Sequence, residues 1–384
     1  MNKKAFIPLF TVVFVAMLGA GIISPLMPLY AKSMGASGLQ LGLMYAGFAI
    51  SRTIFGPIMG RLSDRRGRKI FIAIGLLAYT IISLSYAFAS NMYQLTSIRF
   101  LHGVASSMVI PIAQAYIGDL IPKGKEGTYM NLFSMSMFIG MGSGPFLGGT
   151  LADTFFMNAG FYAMAGLTAL ALVLLLLLVP TVEPSSEQSK KPPRAPVRTI
   201  IRDNKVRAIS LSLASRAFYR QGITAFLPIL AVSTMGMSVA GIGLVLSIFH
   251  LSGGFAQALF GPLADRFNKK ILIITGSITA PILVFFVPYV SSSGMLLAVL
   301  LPTALLAAIA RAAVMAFSVE LGKKHGGMGS VMGVTRSAMS MAMAIGPLVS
   351  GFIMDSLGIT SVFRVGAIVG ILVTLPAIYF LYKE

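Results

Sequence analysis

The chain has 384 residues, 56% of them hydrophobic and 11% charged, with a formal net charge of +19 and no cysteine. Globular proteins carry about 25% charged residues, so an ordinary water-soluble domain is excluded, as are disulfides, thiolate metal sites and thiol nucleophiles. The positive excess does not indicate nucleic acid, because the basic residues fall in short breaks between apolar runs, where they set membrane topology.

Those runs are each long enough to cross about 30 Å of hydrocarbon. The first, 5–30, has the basic start and apolar core of a signal peptide, but it is too long for one and no A-x-A-like site follows. It therefore reads as the first spanning helix. Five more are predicted at 38–60, 70–89, 94–118, 128–152 and 158–180. The break at 181–206, rich in Pro, Ser and basic residues, reads as a flexible cytoplasmic linker. Six further helices follow at 207–231, 239–262, 270–290, 295–318, 329–353 and 360–381. The predicted fold class is an all-α membrane protein of twelve transmembrane helices, in two six-helix bundles at 1–180 and 207–384.

Assigning alternate loops to the side of the termini gathers 22 basic residues there and leaves only Lys32 and Arg364 on the other. The positive-inside rule then expects both termini in the cytoplasm, with a bacterial inner membrane as the location. The bundles read as repeats. "GRLSDRRGRK" at 60–69 is echoed by "GPLADRFNKK" at 261–270, an offset of 201, which also relates Asp119 to Glu320. "GPFLGGTLAD" at 144–153 is echoed by "GPLVSGFIMD" at 346–355, an offset of 202. Two such repeats suit a binding site between them and alternating access to it.

"GRLSDRRGRK" resembles the loop signature between helices two and three of the major facilitator superfamily. "LGAGIISPLMP" at 18–28, "RFLHGVASS" at 99–107 and "GMGSGPFLGG" at 140–149 resemble patterns of its twelve-helix drug/proton antiporters, although Asn131 stands where a leading glycine of the last pattern is expected. The resemblance implies a secondary transporter with helices three, six, nine and twelve at the periphery. In the loop, Gly60 is expected to let two helices approach, and Asp64 to cap a helix or pair with a cation. Arg65 and Arg68 are expected to bind facing carboxylates, with Asp119 and Glu126 as partners. With Asp265, Arg266 and Glu320 in the second repeat, these residues form a candidate latch for one access state. Gly140, Gly144, Pro145, Gly148, Gly149, Gly346 and Pro347 read as close helix packing rather than a phosphate loop.

All 11 acidic residues fall in loops or at helix ends, whereas Arg52, Arg99, Arg216, Arg220, Arg311 and Arg336 lie inside predicted spans. Arginine stays charged in proteins, and a charge in mid-membrane costs several kcal/mol or more. Without a carboxylate in mid-span, the partners left are water, carbonyls, aromatic faces or a bound anion. The expected site is an anion-attracting cavity lined first by Arg52, Arg216 and Arg220, then by Tyr219, Arg99, Arg311 and Arg336. Snorkelling is the competing account for Arg311 and Arg336. His102 and His250 are candidate proton carriers, and the resemblance links Arg99 to structure or proton coupling. Gln114, Gln221 and Gln257 are softer candidates for the path.

The expected function is secondary transport, by export, of an organic or amphipathic anion, with membrane lipids and protons as partners and no nucleic acid. A proton-coupled multidrug exporter and a carrier of phosphate-bearing lipid are the rivals. No metal, cofactor or catalytic residue is expected, since two isolated histidines make neither a nucleophile nor a metal site.

Overall fold

The computed structural model describes residues 3–120, 126–181, 197–324 and 328–383, with side chains except at 3–5, 126–128, 197, 258, 261–265, 323 and 328–330. Among these residues there is no strand. The helices are α1 (Lys3–Ser33), α2 (Gly38–Arg66), α3 (Arg68–Ala87), α4 (Met92–Leu120), α5 (Glu126–Thr154), α6 (Ala159–Leu178), α7 (Val197–Arg202), α8 (Asn204–Met235), α9 (Val239–Arg266), α10 (Lys269–Phe285), α11 (Ser293–Lys324), α12 (Met328–Leu357) and α13 (Ile359–Tyr382). All but α7 correspond to a predicted span, extended by a few residues where polar ends run on as helix. Ten of the described helices are long and apolar enough to cross a membrane. The long helices that miss are α5, diluted by Gly and Ser, and α8, which carries Arg216 and Arg220.

These helices are apolar on all sides rather than along one stripe, as expected when lipid is the solvent. Their interiors hold prolines, such as Pro8, Pro25 and Pro28 in α1, which a packed membrane bundle tolerates because neighbouring groups satisfy the freed carbonyls. The segment 197–206, expected as the end of a flexible linker, is instead folded. Ile200 is buried with Val206, Ile209, Leu321 and Val331. Asp203 accepts from the Lys205 amide at 2.9 Å and pairs with Lys324, also at 2.9 Å.

The chain divides into two compact units. The first comprises Met1–Ala36, Leu43–Ser185 and Ala231–Leu251, and the second Ser37–Gly42, Ser186–Leu230 and Ser252–Glu384. In the first, α1 packs along α5 and α6, and α3 along α4 and α6; in the second, α10 packs against α11 and α13, and α12 against α13. Thus α2 begins in the second unit and continues in the first, while α9 begins in the first and continues in the second.

The echoed motifs explain those exchanged helix starts. Asp153, ending the first Gly-Pro motif, accepts from the amides of Val239 (3.2 Å) and Ala240 (2.8 Å) at the start of α9. Asp355, ending the second, accepts from Gly38 (2.6 Å) and Leu39 (2.8 Å) at the start of α2. Each carboxylate satisfies amides that have no partner within their own helix and faces the positive end of its dipole. The backbones touch: a Cβ on Gly149 would overlap the Val239 carbonyl, and one on Gly351 the Gly38 carbonyl. Within the first unit, Gly144 lies against Gly21, and a Cβ on Gly148 would overlap the Ile22 carbonyl.

Gly148→Val should therefore abolish accumulation of folded protein, whereas Gly166→Val, where no described residue lies within 4 Å of an added Cβ, should be tolerated. Size-exclusion profiles of the two detergent-solubilised variants check this.

Candidate functional site

Arg216 and Arg220 are one turn apart on α8, so they share a face, and Tyr219 lies between them in sequence, 4% exposed. Tyr219 is hydrogen-bonded to Arg216 and within electrostatic reach of both arginines. Arg311, on α11, is within reach of the same two guanidiniums. Arg311 thus belongs to the same cationic cluster as Arg216 and Arg220.

Arg216, Tyr219 and Arg311 line a small, partly open cavity with Ser212, Ser215, Gly276 and Ser277. No carboxylate contributes to that lining. The serines are already engaged. Ser212 and Ser277 hydroxyls are 2.6 Å apart, one donating to the other, and Ser215 donates to the Gly370 carbonyl at 2.7 Å. Gly276 brings α10 close, since a Cβ there would overlap the Leu306 carbonyl of α11. Arg216 Nε is buried without a hydrogen-bond partner. The cavity thus presents donors and positive charge, with all its residues in one unit.

The first unit contains a second cationic cluster of different character. The Arg99 guanidinium lies over the rings of Phe48 (4.6 Å) and Tyr45 (5.4 Å), and its Nη1 is 3.4 Å from His102 Nδ1. That nitrogen also meets the Tyr86 hydroxyl at 3.0 Å. His102 is 2% exposed and packed edge-on against Phe48 and Tyr79. Arg52 is within electrostatic reach of Tyr79 and His102. Aromatic faces here do what a carboxylate would otherwise do, by placing ring quadrupoles against the cation. The sequence identified Arg99 and His102 but not their cage, because Tyr45, Phe48, Tyr79 and Tyr86 come from α2 and α3 and look like ordinary core.

The remaining candidates are dispersed. Arg336 is exposed on α12, His250 is buried on α9, and Gln114, Gln221 and Gln257 are partly buried. Among the described residues there is no cluster of His, Asp or Glu able to hold a metal.

At the helix ends, Arg68 pairs with Asp64 (3.2 Å) and Asp119 (2.9 Å). Shifted by the repeat offset, Lys269 pairs with Glu320. Asp64 caps no helix: α3 starts after Gly67, which has φ 96° and no side-chain cap. Among the described residues nothing lies within 4 Å of a Cβ added at Gly60. Arg65 and Arg266 are exposed. The side chains of Glu126 and Asp265 lie outside the described residues.

Comparison with known proteins agrees with this architecture. A family model described as Major Facilitator Superfamily matches residues 9–239 and 209–384. An uncharacterized MFS-type transporter of Methanocaldococcus jannaschii is 29% identical over 381 residues, covering 97% of each chain. Quinolone resistance protein NorA of Staphylococcus aureus is 34% identical over 182 residues, 47% of this chain and 46% of NorA. In fold, the chain is similar to a bacterial homologue of the human lysosomal transporter Spinster, solved inward-facing and unoccupied. The TM-score is 0.83 at 15% identity, over 99% of this chain and 97% of the other. With two apolar helical repeats, a paired basic loop in each and a family match spanning both, the chain belongs to the Major Facilitator Superfamily of membrane transporters.

Proposed function

We propose that the protein moves an organic anion by alternating access, in the direction of export, with both termini in the cytoplasm. The observation that carries this reading is the grouping of Arg216, Arg220 and Arg311 around Tyr219 and a cavity whose lining has no carboxylate. A permanently charged guanidinium removed from water is tolerated when an anion or other partner compensates it, and a carboxylate or phosphate accepts its paired N–H groups in fork geometry. Arg220 and Arg52 are the leading substrate contacts.

The likeness to NorA favours a second reading, proton-coupled drug export. Its weakness for cationic drugs is electrostatic, because the arginine cluster repels them. Stabilisation of the purified protein separates the two. Organic anions should raise the melting temperature in a saturable way, and Arg220→Gln should weaken that effect at least tenfold. Stabilisation by cationic drugs alone, equal in both proteins, favours the drug exporter.

The helix-end contacts are proposed as the parts that make and break during access. Neutralising Asp355 removes the carboxylate from two amides of α2, at a cost of about 1 kcal/mol for a helix cap. That biases the population away from the arrangement described here. The natural absence of cysteine makes the test direct. Ser350→Cys, at a position now 2% exposed, should react slowly with a maleimide and several-fold faster when combined with Asp355→Asn. An unchanged rate removes Asp355 from the gate.

A further inference from the structure

The space between Arg216, Tyr219 and Arg311 is on the scale of one water molecule, too small for the body of an organic substrate. Its chemistry is nevertheless specific. Ser215 donates to the Gly370 carbonyl and one of Ser212 and Ser277 donates to the other, so the polar lining offers guanidinium N–H groups, a phenol and one remaining serine O–H. Arg216 Nε is buried without a partner, and Arg220 acts on the same charges from just outside the lining. A water molecule would occupy this volume without offsetting any charge. No carboxylate is among the residues that line it.

We propose that this cavity is a binding site for a single small inorganic anion of halide size, with chloride the natural occupant. A halide accepts hydrogen bonds from any direction, is far smaller than an organic anion, and would give the buried Arg216 Nε–H both an acceptor and a negative charge. The site lies within the second unit, between α8, α10 and α11. The proposal deepens the anion-transport reading and divides labour among the arginines. Arg216 and Arg311 hold the inorganic ion, while Arg220, which does not line the cavity, meets the organic substrate. Occupancy by chloride would then set the local charge that the substrate encounters, making chloride a regulator of substrate affinity.

The test is direct binding of radioactive chloride to the purified protein by scintillation proximity, at constant ionic strength with gluconate as the balancing anion. Saturable binding of about one ion per chain, displaced by bromide and not by gluconate, is expected. Arg216→Gln and Arg311→Gln should each weaken it at least tenfold, and Arg336→Gln should leave it unchanged. Ala310→Val, which fills the cavity and keeps every charge, should also abolish it, so the outcome does not depend on charge variants folding. Absence of saturable chloride binding to the wild-type protein overturns the proposal. So does binding that survives all three cavity substitutions, or displacement by phosphate at lower concentration than bromide, which assigns the cavity to an oxyanion group. Loss of chloride binding in Arg311→Gln with organic-anion stabilisation retained would uphold the halide site. Organic-anion stabilisation absent throughout, with chloride binding intact, would remove the transport reading and leave the halide site standing.

Discussion

Arginine cannot give up its proton under conditions a protein survives, and the consequences of that constraint run through this molecule. Six arginines fall within the predicted spans, while all 11 carboxylates fall in loops or at helix ends. Compensation therefore comes from other chemistry. In the first unit the Arg99 cation rests on aromatic faces, with His102 and Tyr86 completing its surroundings. In the second, Arg216 shares a cavity with Arg311 and Tyr219, and the lining offers donors rather than counter-charge. Each cluster keeps one buried guanidinium Nε without a hydrogen-bond partner, on Arg99 and on Arg216, but the first sets its cation on aromatic rings while the second borders a cavity. That asymmetry, between repeats that match closely at their helix ends, separates what the repeats share from what makes them different.

What they share is the machinery of the ends. Gly35 and Gly236, related by the offset of 201, both turn the chain with positive φ, at 78° and 60°. Arg68 with Asp119 is matched by Lys269 with Glu320. The caps are reciprocal: the acid that ends each Gly-Pro motif holds the start of a helix from the other repeat. An ion pair at a helix end costs little to break in water, and a cap is worth about 1 kcal/mol. Contacts of that size can be exchanged between states of a transporter, which a large apolar interface could not be.

Much of this was legible in the sequence because membrane insertion imposes simple rules. Apolar runs must match the bilayer, so each long helix among the described residues overlaps a predicted span, with ends that differ by up to about six residues. The repeat offset marked Asp119 and Glu320, and the glycine patterns marked close packing at Gly144, Gly148 and Gly149. The misreadings share a physical origin. Gly60 was expected to bring helices together because glycine permits approach, but no described residue comes within 4 Å of an added Cβ there. The end of the linker looked flexible by composition, yet one buried isoleucine and one capping aspartate fold it as α7 and the start of α8.

The sequence alone determined the solvent, the class of architecture, the repeat and the scarcity of carboxylates within the spans, since each depends only on residue type and spacing along one chain. Only the tertiary structure decided which arginines share a neighbourhood. Arg311 is 95 residues beyond Arg216 and could equally have reached for the membrane surface; the packing of α11 against α10, with Gly276 letting the backbones meet, helps bring it into the cavity. The aromatic cage of Arg99 was hidden for the same reason. Tyr45 and Tyr86 are ordinary apolar-run residues until α2, α3 and α4 come together around a charge. Lipid solubility is written locally in a sequence, but compensation of a buried charge is a long-range property and takes shape only when the helices pack.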